Sequence, residues 1–327
     1  MTKKMTKSVS IITVAAGLIT TSIAFTQMAS AEENLWIYAT GTDTRPKGSW
    51  ELKLGTVARL GKHDSKYSFY DIRPEIEYGV TDKLTVGAEL FIFHHDYSTN
   101  NPDLQPYFDT QGGAGGSFNK TSIGGYELMM KYNVLSPYKD AFGLSFGLAF
   151  DHRGKYRLDG ADINQNAVEV TAYFQKNFLD DTLTLAITPK LEFENRTSGD
   201  DVEFVEEEEI ALDLAIGLSY RVAPKWFVGV EFRHQSDYLS PIVNGEYDDP
   251  SLTPSKFGLN GFQFGTQHQN GNYFGPTVHY AAKKWWITAG ALFQVSGGGS
   301  PHSFNANGKN WDEHEKAHVA LTVGFEF

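Results

Sequence analysis

The sequence predicts an all-β fold, namely a transmembrane antiparallel up-and-down β-barrel of 12 strands that follows a cleaved signal peptide. Three observations predict it. Apolar and polar residues alternate with a period of two along most of the chain. Short turns alternate with longer, variable loops, and charged residues keep to one face of each strand. Aromatic residues, 14% of the chain, suit the interfacial girdles of such barrels.

The first 31 residues have the pattern of a secretory signal peptide. Lys3, Lys4 and Lys7 precede an apolar run from Ile11 to Phe25, and Ala29-Ser30-Ala31 matches a small-residue cleavage site. We therefore expect residues 1–31 to be removed on export.

Two further parts of the chain follow. Residues 32–48 form an N-terminal lead, which is either a short strand or a plug in the barrel, and residues 49–327 form the barrel domain.

The net charge of −12 argues against nucleic-acid binding. The absence of cysteine excludes disulfides and thiolate chemistry, and no pattern predicts a cofactor or a metal site.

Twelve segments carry the alternation. The last one, His318 to Phe327, sets five apolar side chains against small or polar ones. An even number of strands returns both ends of the barrel to the side of the short turns, which is the periplasm in bacterial outer-membrane barrels. The predicted strands are 50–60, 70–80, 84–92, 122–134, 142–151, 164–178, 183–194, 210–221, 226–233, 269–282, 285–295 and 318–327.

The distribution of charge favours a membrane barrel over a soluble sandwich. A lysine or arginine on the lipid face costs about 2–4 kcal/mol at the bilayer midplane, whereas a sandwich tolerates scattered charges. Charged side chains inside the strands fall on one face, which we predict to line the lumen: Glu51, Lys53, Arg59, Asp71, Arg73, Glu75, Glu77, Glu89, Glu127, Lys131, Glu169, Lys190, Glu192, Glu194, Asp213, Glu231, Arg233 and Glu326.

Aromatic residues flank the short turns, where an interfacial girdle is expected. The predicted girdle consists of Trp50, Tyr78, Tyr132, Phe142, Phe178, Tyr220, Trp226, Trp285 and Phe327. Pro74, Pro189 and Pro276 lie inside strands and lack the N–H that a strand ladder needs, so we expect β-bulges at these positions.

Several motifs resemble a family of uncharacterised outer-membrane β-barrels, a domain of unknown function akin to the phenol-degradation-pathway barrel proteins. They include Thr42-Asp43-Thr44-Arg45-Pro46-Lys47-Gly48, Leu135-Ser136-Pro137-Tyr138-Lys139-Asp140 and the closing Val323-Gly324-Phe325-Glu326-Phe327. The resemblance implies a location in the bacterial outer membrane and a transport role without an established substrate. The final strand also resembles the one by which the barrel-assembly machinery recognises such proteins.

One pair of residues has the spacing of a nucleophile and its base. His234 and Ser236 lie on one face of the ninth strand, which by parity from Trp226 is the lipid face near the outer end. The pair is similar to the His-x-Ser of outer-membrane phospholipase A and of lipid A deacylases, with Asn270 or Asn272 as the candidate third partner. A polar strand end that enters a loop explains the same residues.

The acidic run Glu206 to Glu209 has two interpretations, a calcium site or a solvated outer loop, and it lacks the spaced ligands of the former.

Three functions remain open. The first is a narrow passive channel for small solutes, since a lumen of twelve strands lies between the filled and the open sizes. The second is an outer-membrane lipid hydrolase that uses Ser236 and His234. The third is a structural or adhesive barrel that acts through loops such as 96–120 and 239–267. The expected partners are outer-membrane lipid and lipopolysaccharide, the assembly machinery through the strand that ends at Phe327, and an unidentified small solute.

Overall fold

A computed structural model describes residues 34–62, 66–98, 117–198, 205–240, 242–243, 245–247, 250–299, 305–311 and 313–327. The predicted signal peptide and most of the 96–120 loop lie outside these ranges. Twelve long strands form the molecule: β1 Trp50–Leu60, β2 Lys66–Thr81, β3 Leu84–Ser98, β4 Ser117–Leu135, β5 Gly143–Lys155, β6 Asp162–Phe178, β7 Leu183–Ser198, β8 Val205–Ala223, β9 Trp226–Tyr238, β10 Gln267–Ala281, β11 Trp285–Gly299 and β12 Ala317–Glu326.

The strands close into a ring. Each strand pairs with its sequence neighbour in antiparallel fashion, and β1 pairs with β12, for example through Leu54 and Val323. The predicted twelve-stranded up-and-down barrel is confirmed. Several strands extend beyond their predicted outer ends, because hydrogen-bonded pairing continues into the connections, as in β2 and β3.

The two faces of the wall have opposite chemistry. Outward side chains such as Leu148, Leu218 and Val230 are about 40–50% exposed, whereas inward carboxylates such as Glu51 and Glu231 are fully buried. This is the arrangement of a barrel whose outer surface contacts hydrocarbon. Within the described residues, no helix is long and apolar enough to cross a membrane.

A charge placed on the outer wall tests this surface directly. Val230 follows the girdle residue Trp226 by four positions along β9. This places it about 10 Å further into the membrane, near the midplane. We expect Val230→Arg to lower the free energy of unfolding by about 2–4 kcal/mol, and Val222→Arg, at the interface, by only about 0–1 kcal/mol. Urea titrations of protein refolded into vesicles measure both. Equal losses would contradict a lipid-covered wall.

The predicted bulges at the strand prolines are wrong. Pro74, Pro189 and Pro276 each keep a partner on one neighbouring strand, while the ladder on the other side skips the proline with its register unchanged. The missing N–H is therefore accommodated by omitting two consecutive pairings, that of the proline and that of one adjacent residue. A bulge occurs instead at Gly124, where β4 gains a residue relative to β3.

An aromatic cluster fills part of the lumen near the outer ends of β2 and β3. Its rings are fully or almost fully buried, and Phe69 packs edge-on against Phe93 with ring centroids 5.1 Å apart. The alternation did not predict this cluster. Four of its residues lie outside the predicted strands 70–80 and 84–92, and Phe91 lies on the inward face that was assigned to charged residues. The members of the cluster are Tyr67, Phe69, Phe91, Phe93 and Tyr97.

Candidate functional site

The N-terminal lead crosses the lumen near the periplasmic end of the barrel. Glu231 on β9 accepts hydrogen bonds from the backbone N–H groups of Ile37, Tyr38 and Ala39, at 2.6–2.9 Å. Thr42 further along is fully buried, and its backbone N–H donates to Gln175 on β6 at 2.9 Å. Residues 34–46 form no strand in the structure and lie as a segment inside the barrel.

Arg45 fixes the end of the lead to the seam between β1 and β12. Its guanidinium lies 2.6 Å from the Glu51 carboxylate and 3.3 Å from that of Glu326. Glu51 also accepts a hydrogen bond from the Trp286 indole at 2.7 Å. Arg45 is completely buried, so this ion pair joins the lead to the first and last strands away from water.

Inward glycines make room for the lead. A Cβ atom at Gly217 would stand 2.4 Å from the Trp36 ring, and one at Gly79 would stand 2.1 Å from the Pro46 carbonyl oxygen. Only glycine allows so close an approach of the wall to the lead. Glycines on the inward face of the strands are therefore the feature of the sequence that indicates a segment inside the barrel.

A network of ion pairs covers the inner wall above the lead. Lys53 lies 2.9 Å from Glu75 and 2.7 Å from Glu77 on the adjacent strand. Further up, Arg73 pairs with both Asp71 and Glu89, at 2.9 and 2.7 Å. On the opposite side Lys190 contacts Glu169 at 3.0 Å, and Arg233 contacts Asp213 at 2.5 Å. Because each cation faces acids on neighbouring strands, the lumen carries paired charges of both signs.

All 18 residues predicted to line the lumen are buried or half-buried, and none is exposed. Their role as a selectivity lining stays a prediction. Arg153 was not predicted, because it lies past the predicted end of its strand; it contacts Asp151 at 2.7 Å and Glu192 at 3.1 Å. Arg45 was not predicted either, since nothing local in the sequence indicates its partners.

Three carboxylates, those of Asp151, Glu169 and Glu192, have oxygens within 4.8 Å of one another. Arg153 and Lys190 lie against them, so we assign the cluster to the ion-pair network.

The acidic run that was interpreted as a calcium site or a solvated outer loop does not form a loop. Residues 206–209 belong to β8, and Glu207 is buried against Arg196. The alternation of the run, with Glu207 inward and Glu208 exposed, is that of a strand.

Two outer connections fold into the mouth of the barrel. The β5–β6 connection is held by Tyr67 and Tyr97, whose hydroxyls donate to the backbone carbonyls of Leu158 and Asp159. The segment before β12 is held by Tyr273, which donates to the Glu315 carbonyl at 2.8 Å. Both segments narrow the lumen from the outside.

Among the described residues, three cavities lie between these obstructions. Their volumes are about 190 Å³ near the lead, 290 Å³ at mid-height and 140 Å³ below the mouth. The lower two share Lys53 and Glu127 in their linings, and the upper two share Arg59, Lys190 and Arg233. The cavities therefore follow one another along the lumen, and each is large enough for on the order of ten waters or more.

The lead also contains a group that titrates near neutral pH. Burial raises the pKa of the Asp43 carboxyl from 3.8 to about 6, and the Tyr138 hydroxyl, 3.4 Å away on a periplasmic turn, opposes this in part. A free Asp43 binds its proton only near pH 4, so the docked lead binds more protons between pH 4 and 6. Docking is therefore expected to strengthen as the pH falls from 7 to 5.

A spin label at Lys47→Cys measures this effect, because the chain has no other cysteine. We expect the label to be less mobile at pH 5 than at pH 7.5, and Asp43→Asn to abolish the difference. A pH response that persists in Asp43→Asn would assign it to another group.

The predicted girdle residues lie beside the short turns on the outer wall. Eight of the nine are 40–59% exposed, and Tyr78 is half-buried because its ring packs against Trp50 with centroids 4.4 Å apart. Tyr280, which the sequence analysis did not include, lies between Trp226 and Trp285. Their interfacial role stays a prediction.

His234 and Ser236 come together on the outer wall, as their spacing predicted. The Ser236 Oγ lies 3.1 Å from His234 Nε2, and Asn272 Oδ1 on β10 lies 2.8 Å from His234 Nδ1. Asn272, not Asn270, is thus the third partner. The alternative of a polar strand end that enters a loop is compatible with the same hydrogen bonds, so a catalytic role of the pair stays a prediction.

The closed ring, the outward apolar wall and the charged interior define the protein as a bacterial outer-membrane β-barrel. A model of the "Family of unknown function (DUF6662)" matches residues 28–327, and the chain belongs to this family. The resemblance seen in the sequence is therefore confirmed. None of the curated proteins compared matches the sequence.

Solved structures show the same fold at low sequence identity. An outer membrane channel from Pseudomonas putida F1 has a TM-score of 0.59 and 12% identity, over 88% of this chain and 98% of that one. The KdgM porin, solved with oligogalacturonate, has a TM-score of 0.43, 10% identity, and 85% and 99% coverage. LpxR from Salmonella typhimurium has a TM-score of 0.39, 7% identity, and 85% and 99% coverage. The first likeness shows the fold alone, and the other two carry no argument.

Proposed function

We propose that the protein is a narrow passive channel for small polar solutes. The observation that carries this proposal is the row of three cavities along the lumen, in which neighbouring cavities share charged lining residues. Paired charges of both signs favour solutes that bring their own polar groups, since such groups replace the water that a solute loses on entry. The lead and the mouth segments set the small size of the solute.

Single-channel recording in planar bilayers tests the proposal. We expect the wild-type protein to give a small conductance that Gly55→Phe lowers, because Gly55 lines the middle cavity. Gly154→Phe is the matched control. Gly154 is a strand glycine on the outward face of the wall, with open space around its Cβ position. Both proteins must first be shown to be folded barrels. A folded wild-type protein that never carries current, or a Gly55→Phe protein that conducts like the control, would overturn the proposal.

The partners of the channel form a further part of the proposal. Lipid contacts follow from the outward apolar wall. Contact of the outer loops with lipopolysaccharide and recognition of β12, which leads to Phe327, by the assembly machinery stay predictions. An adhesive role depends largely on the 96–120 loop, of which residues 99–116 lie outside the described residues.

A further inference from the structure

The channel does not use the three polar side chains on the outer wall. Ser236, His234 and Asn272 lie on the lipid side of β9 and β10, with the wall between them and the lumen. We propose that they form a catalytic site that hydrolyses the fatty acyl esters of outer-leaflet lipids. Ser236 is the nucleophile, His234 is the general base, and Asn272 positions the imidazole.

The hydrogen bonds select the productive tautomer of His234. The Asn272 side-chain N–H donates to Ser296 Oγ at 3.1 Å, which turns the amide oxygen of Asn272 towards the imidazole. That oxygen accepts from the Nδ1–H of His234, so Nε2 carries the lone pair. Nε2 can therefore accept the proton of the Ser236 hydroxyl 3.1 Å away. A serine, a base and an orienting group in this order are recognised by geometry and not by sequence position.

The depth of the site identifies the substrate class. Ser236 follows the girdle residue Trp226 by ten positions on a tilted strand, which places it about 25 Å above the periplasmic interface. This equals the height of the apolar band, so the serine lies where the outer leaflet changes from hydrocarbon to headgroup. Acyl ester bonds of membrane lipids lie at that boundary. Phospholipids and the lipid part of lipopolysaccharide share this chemistry.

The reaction consists of two balanced steps. Ser236 Oγ attacks the ester carbonyl while its proton passes to His234 Nε2, and the tetrahedral intermediate expels the lipid alcohol, which takes that proton. The acyl-serine is then attacked by water, whose proton passes to the same nitrogen and returns to Ser236 as the fatty acid leaves. The net reaction consumes one ester and one water and gives one alcohol and one fatty acid.

The connection after β9 forms a cover on the outer wall, packing at the level of Tyr238, two residues beyond the serine along β9. Ser236 and its near neighbour Ile210 are fully buried, although Val228 and Val230 on the same face of the wall are about 40% exposed. Phe257 of this connection packs against the outward ring of Phe193, with centroids 5.7 Å apart.

The same connection is held along the end of β9. Phe264 packs against Tyr238, with centroids 5.1 Å apart, and Ser255 donates a hydrogen bond to the Tyr238 carbonyl. Because Ser236 is fully buried and the segment folds back over the outer wall beside it, we expect the segment to lift before an ester reaches the serine.

The exposed apolar residues of this cover are expected to contact lipid. Leu259 is fully exposed and Phe262 is 61% exposed, and both belong to the segment that lies over the lipid-facing wall. Apolar side chains in this place partition into the outer leaflet, which favours the lifted position when lipid is present. We therefore expect hydrolysis of lipid in vesicles rather than of soluble esters.

The test measures fatty acid released by the full mature protein in phosphatidylethanolamine vesicles, with and without lipopolysaccharide. It also measures labelling of Ser236 by a fluorophosphonate, located by mass spectrometry. We expect Ser236→Ala and His234→Ala to lose at least about 100-fold of the release. His152→Ala is the matched control, because His152 bonds Asn166 at 3.1 Å on the same outer wall without a serine. The two lipid arms show which ester is the substrate.

Positioning by Asn272 has its own readout. Asn272→Ala should lower kcat with little change in KM, and Asn272→Asp should restore much of it, because a carboxylate also accepts from Nδ1–H. A merely structural asparagine would not be rescued in this way. Each variant is checked for heat-modifiable migration as a folded barrel.

A second protein, with residues 245–262 replaced by a short Gly-Ser linker, removes the cover. If neither it nor the wild type releases fatty acid from either lipid or labels at Ser236, the proposal is overturned. Release that persists in Ser236→Ala overturns it as well. Neither result depends on conductance, so the channel proposal stands or falls separately.

Discussion

Deleting residues 34–46 should raise the single-channel conductance several-fold. These residues cross the lumen and donate backbone hydrogen bonds to inward side chains, including Glu231 on β9, Gln175 on β6 and Thr85 on β3. Their removal joins the lowest cavity to the periplasm. The carboxylates left behind are then hydrated by the water that replaces the lead, so the barrel itself should remain folded.

Planar bilayers and heat-modifiable migration measure conductance and folding on the same sample. A suitable control keeps the lead and breaks one exposed contact, as in Lys47→Ala, since Lys47 lies at the exposed end of the lead. If the deleted protein is folded and its conductance equals that of the wild type, the lead does not limit the passage of ions. The restriction would then be assigned to the mouth segments around Leu158 and Glu315.

The barrel could be predicted from the sequence because its main signal is local. In β12, Val319 and Leu321 point outward and are exposed, while His318 and Ala320 between them are buried, as a period of two requires. Strand number and parity follow from turns that can be counted along the chain. The inward position of all the predicted charges, which are buried or half-buried, follows from the same alternation.

The lead and the third member of the polar triad could not be predicted, because both depend on distant contacts. The lead docks through backbone N–H groups that every residue has, and its acceptor, Glu231, is more than 190 residues away. Asn272 reaches His234 through the register between β9 and β10. A long loop and a register shift between Gln267 and Gln269 set that register, so counting from the turn cannot distinguish Asn272 from Asn270.

Arg45→Ala is expected to cause the largest loss of stability of any single change in the lead, about 3–5 kcal/mol. Arg45 and Glu51 are completely buried, and Glu326 is almost so. Removing the cation leaves two acidic side chains in an enclosed space, with the Trp286 indole as the hydrogen-bond donor that Glu51 retains. A buried pair that loses one partner costs far more than an exposed pair, because the remaining charge has given up its water.

Urea titration of protein refolded into vesicles measures this loss, and Lys47→Ala, two residues away and exposed, is the matched control with an expected change below about 0.5 kcal/mol. Partial release of the lead would admit water to Glu51 and reduce the loss towards the lower value. Release would also raise the conductance, so the two measurements distinguish a lead that stays docked under strain from one that leaves. If Arg45→Ala matched Lys47→Ala in both stability and conductance, the buried ion pair would hold neither the lead nor the seam between β1 and β12.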